Sequence, residues 1–132
     1  MSGPESGVEN IVILGPGPAG LTAAIYAARA STNPLVAEGD VPGGQLTITS
    51  DVENYPGFAE PVMGPDLMVA FRKQAERFGT RFMRGNVESV DLKSRPFKMR
   101  FSDGREILTK TLILATGASA KWIGIPSEKR LM

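Results

Sequence analysis

The sequence predicts an α/β protein: a parallel sheet flanked by helices, with a small antiparallel β layer against part of one face. Three observations carry that prediction. The aliphatic run Ile11-Val12-Ile13-Leu14 stops in a Gly15-Pro16-Gly17-Pro18-Ala19-Gly20 turn, and an alanine-rich stretch follows. A second apolar run, Pro34-Leu35-Val36-Ala37, ends in Glu38, 18 positions after Gly20. Late in the chain Thr111-Leu112-Ile113-Leu114-Ala115 repeats the opening pattern and again ends in a small residue and a glycine, Thr116-Gly117. Strand, helix and strand, followed by a helix, a hairpin and a returning buried strand, is the order that builds a parallel sheet with short antiparallel additions.

The first element is the run at 11–14, four consecutive aliphatic residues that suit a strand covered on both faces. Each glycine after it has a physical task. Gly15 permits the tight turn, Gly17 lets backbone approach a pyrophosphate, and Gly20 lets the helix at 21–30 pack on the strand. Pro16 and Pro18 remove two competing amides, and Pro18 suits a first helical position. Glu38, at the end of the second strand, is placed to accept hydrogen bonds from an adenosine ribose, a contact that disfavours a 2′-phosphate. Jointly the turn and the acid read as a Rossmann-like dinucleotide site; separately they read as a glycine-rich loop and a solvated carboxylate.

The loop Gly39-Asp40-Val41-Pro42-Gly43-Gly44-Gln45-Leu46 is long and glycine-dense, as in a segment that wraps a ligand or in a plain surface loop. Gln45 offers an amide donor and a carbonyl acceptor to a polar ring. Residues 47–58 have weak strand character that breaks at Pro56-Gly57, and Asn54, Tyr55 and Phe58 either line a planar cofactor or serve the core. Gly64-Pro65-Asp66 starts a helix whose Leu67, Met68, Phe71, Ala75 and Phe78 share one face and which Gly79 stops. Arg72, Lys73, Glu76 and Arg77 read as its solvated side.

From Arg81 the period changes to that of short strands at 81–84 and 87–92, and Val87 would meet an adenine edge through its backbone if its strand end faces the first turn. Alternation over 97–101, the turn Ser102-Asp103-Gly104 and the strand at 105–109 make a hairpin. The run at 111–117 is then a second buried parallel strand ending near the cofactor. Trp122 reads as a packing residue. The resulting organisation is a disordered polar leader at 1–9, one domain at 10–120 and an exit segment at 121–132.

Composition limits the chemistry further. Of 132 residues, 42% are hydrophobic and 22% charged, and 15 basic against 14 acidic side chains give a net charge of +1. Bulk charge therefore offers nothing to a nucleic acid. No apolar run approaches the roughly 20 residues of a membrane span, so no membrane partner is expected and a cytoplasmic location is the default. The absence of cysteine and histidine removes thiol nucleophiles, disulfides, thiolate metal sites and the commonest general base together. No metal site is expected, and the hard chemistry would fall to a cofactor.

Five stretches resemble one family, the low-molecular-weight thioredoxin reductases, which are flavin-dependent pyridine-nucleotide disulfide oxidoreductases. They are Gly15-Pro16-Gly17-Pro18-Ala19-Gly20 with Ala23-Ala24-Ile25-Tyr26, Pro42-Gly43-Gly44-Gln45-Leu46, Val52-Glu53-Asn54-Tyr55-Pro56-Gly57-Phe58, Arg95-Pro96-Phe97, and Ala115-Thr116-Gly117-Ala118-Ser119-Ala120. The resemblance implies FAD in this domain. The turn from Gly15 to Gly20 would hold its pyrophosphate, Glu38 the ribose, Gln45 and Asn54 the flavin side and Val87 the adenine, with Gly39, Gly44 and Leu46 also binding the cofactor and Thr116 and Gly117 passing close by. In the complete family member NADPH reduces the flavin, which reduces a cysteine pair, which reduces thioredoxin; a homodimer is also compatible with it. The cysteine pair and the NADPH domain have no counterpart in these residues, so the expectation is an FAD-binding portion inactive alone as a disulfide reductase. A non-catalytic nucleotide-binding or interaction module, and a short flavoprotein using an external donor, are the alternatives.

Overall fold

The computed structural model describes residues 7–119, 121, 124 and 125. Strand β1 runs Val8–Leu14, starting three residues before the expected Ile11 and taking Val8 and Glu9 from the expected leader. Pairing explains the difference, because Val8 and Glu9 lie in parallel register with Leu108 and Thr109. The Glu9 carboxylate is buried yet satisfied, since Arg81 grips it with Nη1 and Nη2 while donating from Nε to Asn33 Oδ1 at 2.9 Å. A buried carboxylate is tolerated when it is paired in this way.

Helix α1, Pro18–Arg29, follows the turn with Gly17 as N-cap and proline in its first turn, as expected. It buries Gly20, Leu21, Ala24 and Ala28. Strand β2, Leu35–Ala37, is wholly buried and parallel to β1. The segment read as weak strand is mostly something else. Gly44–Ile48 forms a 3-10 helix, and only Asp51–Val52 makes a strand, β3, which pairs antiparallel with β4, Val62–Met63. Helix α2, Gly64–Arg77, buries Leu67, Met68, Phe71 and Ala75, the expected face. Strand β5, Arg81–Met83, then pairs parallel to β2.

Strands β6, Val87–Asp91, β7, Phe97–Phe101, and β8, Glu106–Leu114, form an antiparallel meander. The two strands expected at 105–109 and 111–117 are one. Its first half pairs with β7, from Arg100↔Glu106 to Phe97↔Thr109, and it runs parallel to β1 from Leu108 to Leu114. The six strands are ordered β5-β2-β1-β8-β7-β6, so the antiparallel layer and the parallel sheet are continuous through β8.

Alternation along β1 divides the core in two. Ile13 packs with Leu21, Ala24, Leu67 and Phe71 on the helix side. Val12 packs with Leu35, Ala37, Met99 and Phe101 on the other side, where the meander folds over the sheet. The result is three layers: helices, parallel sheet and meander. Among the described residues no helix is long and apolar enough to cross a membrane, and no cluster of three metal-ligating side chains occurs. Lys121, Gly124 and Ile125 are exposed, while Trp122 lies outside the described residues.

Candidate functional site

The turn after β1 is built by two glycines and left open by a third. Gly15 has φ +132°, donates its amide to Ala37 O at 3.1 Å, and passes so close to β8 that a Cβ there would sit 1.9 Å from Ala115 O. A Cβ on Gly20 would sit 2.1 Å from Gly15 O, so helix and turn meet backbone to backbone. Gly17 differs, because a Cβ there would meet nothing within 4 Å. No packing in the described protein demands glycine at 17, and the space beside it is available to a ligand. Helix first-turn amides lack intrahelical acceptors and favour negative charge.

That space belongs to a cavity of about 550 Å³ with three walls. Pro16, Gly17 and Pro18 form one, Gly44, Gln45 and Leu46 with the rest of the 3-10 helix form another, and Ala115, Thr116, Gly117 and Ala118 form the third. Gln45 Nε2 donates to Ala118 O, tying the second wall to the third. A Cβ on Gly44 would lie 3.1 Å from Gly17 Cα, which shows how closely the loop covers the turn. A second cavity, about 340 Å³, adjoins the first at Pro16 and Thr47 and is lined by Gly43, Met68, Arg72, Phe82 and Arg84 among others.

Glu38 is 2% exposed. Its Oε2 accepts from Arg72 Nη1, and Arg84 Nε lies 3.8 Å from Oε1. Arg72, expected on the solvated side of α2, instead reaches across to the end of β2 with its guanidinium 3.9 Å from the centre of the Phe82 ring. A spacing signal existed, since Arg72 is four residues beyond Met68 and so shares its face; its charge argued against burial. Arg84 and Phe82 carried no signal of their own.

The remaining expected site residues divide. Gly39 forms an isolated bridge with Gly85, and Asp40 accepts from Asn86, which brings the start of β6 and half-buried Val87 beside the end of β2. Ala19 is exposed and lines neither cavity. Asn54 stands in the exposed turn after β3, also away from both. Tyr55 meets Phe71 edge to face at 5.3 Å but is 43% exposed, so it serves the edge of the core.

Comparison with known proteins agrees with this architecture. A family model for pyridine nucleotide-disulphide oxidoreductase matches residues 9–132. The chain is 57% identical over 122 residues to a thioredoxin reductase of Rickettsia bellii (strain RML369-C), covering 92% of this chain and 39% of that protein. It is 54% identical over 120 residues to the thioredoxin reductase of Rickettsia conorii (strain ATCC VR-613 / Malish 7), covering 91% and 39%. Among solved structures, thioredoxin reductase from Giardia duodenalis superposes with a TM-score of 0.82 at 42% identity, covering 92% of this chain and 39% of that one. The Lactococcus lactis enzyme gives 0.83 at 40% identity, with the same coverage. The chain thus spans about 39% of the length of these relatives.

Proposed function

The chain belongs to the pyridine nucleotide-disulphide oxidoreductase family, and from that premise we propose that it is the FAD-binding portion of a thioredoxin-reductase-like flavoenzyme. The observation that carries the proposal is the open Cβ position of Gly17 beside a cavity whose far wall is the end of β8. A diphosphate would lie along the turn from Gly15 to Gly20, on the first amides of α1. Glu38 and Gly39 would hold the ribose, with the Val87 backbone toward the adenine. On the flavin side, Gly44 and Leu46 form one wall and Thr116 and Gly117 the other. Gln45, whose nitrogen is already bonded to Ala118 O, would offer its oxygen as acceptor. Asn54, in the exposed turn after β3, would meet the flavin side from outside the two cavities.

Bound FAD would supply two-electron transfer between a nicotinamide and a disulfide. What the described residues contribute is binding, orientation and an apolar wall that excludes water. These 132 residues contain no cysteine, so a dithiol step would rest on residues outside them. A cytosolic location goes with this reading.

The test is flavin retention. The chain, incubated with FAD and desalted, should keep visible flavin absorbance. Gly17→Val should bind FAD at least about tenfold more weakly while its far-ultraviolet circular dichroism is unchanged, because the new side chain fills the open space. Lys98→Ala, on the exposed side of β7, should retain flavin. Equal flavin in wild type and Gly17→Val, or none in a folded wild type, would overturn the assignment and leave an interaction module as the better description.

A further inference from the structure

We infer that Arg72 is a positioning residue for the ribose-binding carboxylate: it fixes Glu38 by Oε2 and leaves Oε1 as the acceptor for an adenosine 2′-hydroxyl. The inference rests on the FAD reading above. Arg72 is held at three points, by Glu38, by Glu76 Oε1 at 2.9 Å from its Nε, and by the Phe82 ring beneath its guanidinium. An arginine anchored in this way acts as a rigid fork rather than a mobile surface charge. It spans from α2 to the carboxylate at the end of β2.

Glu38 needs such a partner. Its carboxylate is almost fully buried, and burying a carboxylate without a partner is costly. An ionised carboxylate has about four lone-pair sites, and Arg72 engages Oε2 alone. Among the described residues Oε1 has Arg84 Nε at 3.8 Å, beyond hydrogen-bond reach, on a side chain that is 73% exposed and can yield its place. Both arginines line the cavity of about 340 Å³ that adjoins the turn at Pro16.

The experiment pairs a protein change with a ligand change. The chain is titrated, by flavin fluorescence, with FAD and with an FAD analogue whose adenosine carries 2′-deoxyribose. Wild type should bind the analogue about tenfold more weakly, the scale of a hydroxyl donating to a charged acceptor. Arg72→Met should bind FAD about tenfold more weakly and no longer distinguish the two ligands. A purely structural role would weaken both ligands alike and keep their ratio. Discrimination retained in Arg72→Met, or absent in a wild type that binds FAD, would overturn the inference alone. A wild type that binds no FAD would overturn the parent reading and this one with it. If circular dichroism shows Arg72→Met unfolded, Arg72→Gln takes its place with the same readout.

Discussion

β1 and the second half of β8 are neighbours in register, carry similar aliphatic runs and end in similar small-residue turns, yet they are buried to very different degrees. Ile13 and Ile113 are direct partners across the ladder, and Ile13 is fully buried while Ile113 is 37% and Leu114 64% exposed. The expectation of a second buried strand is therefore corrected: β8 is parallel and ends at the cavity, but it is not covered. The cause is the neighbour on each side. β1 lies between β2 and β8, whereas the pairing of β8 with β7 stops at Phe97↔Thr109 and leaves Lys110 to Leu114 with β1 alone among the described residues. Aliphatic composition sets what a strand can bury; topology sets whether it does.

The two isoleucines give the strongest test of that difference. Ile13→Ala removes a side chain from the packed helix-side core and should cost about 2–5 kcal/mol, read by urea unfolding. Ile113→Ala, the same chemistry at the register partner, should cost less, about 1–2 kcal/mol, because over a third of the residue is already in water. Equal losses would mean that the end of β8 is covered in solution, by a second copy or by further chain.

Glycines in the turns after the two strands and at the start of α1 extend the comparison at smaller magnitude. Gly20→Ala drives a Cβ into Gly15 O and should cost about 1–3 kcal/mol as α1 is pushed off the turn. Gly117→Ala meets open space but keeps φ at +71°, so only the left-handed backbone penalises it, by about 1 kcal/mol. Thermal unfolding of both variants would separate a steric cost from a backbone one. If Gly117→Ala proved the worse of the pair, the end of β8 would be as tightly packed as the first turn.

Most of this architecture was legible because apolar runs and glycine spacing are local signals. The turn from Gly15 to Gly20, the buried face of α2 and the hairpin at Ser102-Asp103-Gly104 can all be read without neighbours. What escaped the sequence depends on distant partners. Glu9 looks like leader until Arg81, 72 positions away, neutralises it inside the fold. Lys110 looks like a break between two strands until its ammonium is seen donating to Asn10 Oδ1 across the ladder, with the backbone running on unbroken. Arg72 looks solvated until Glu38 and Phe82 are placed beside it. Glu9 and Arg72 misdirected the reading because charge predicts exposure only when no opposite charge waits in the fold; Lys110 did so because an exposed lysine on the wet face does not interrupt a strand.

The smallest effect is expected where β8 begins. Asp103 accepts hydrogen bonds from the Arg105 amide at 3.0 Å and from Arg105 Nε at 2.7 Å. The backbone hydrogen bond foremost, opposed by slight desolvation and helped by the side chain and charge of Arg105, holds its carboxyl below the usual aspartate value. A folded-state pKa below the unfolded one stabilises the fold above the usual carboxylate range, and the contribution fades as pH falls through the lower folded value. Asp103→Asn should therefore leave unfolding at neutral pH nearly unchanged apart from that small loss, and remove a slight part of the acid sensitivity below about pH 4. Because Asp103 is exposed, the shift should be at the limit of detection in a pH series of melting temperatures. A large acid-limb change in this variant would show that the hairpin root, and not the pairing of β8 with β1, is what holds the strand in place.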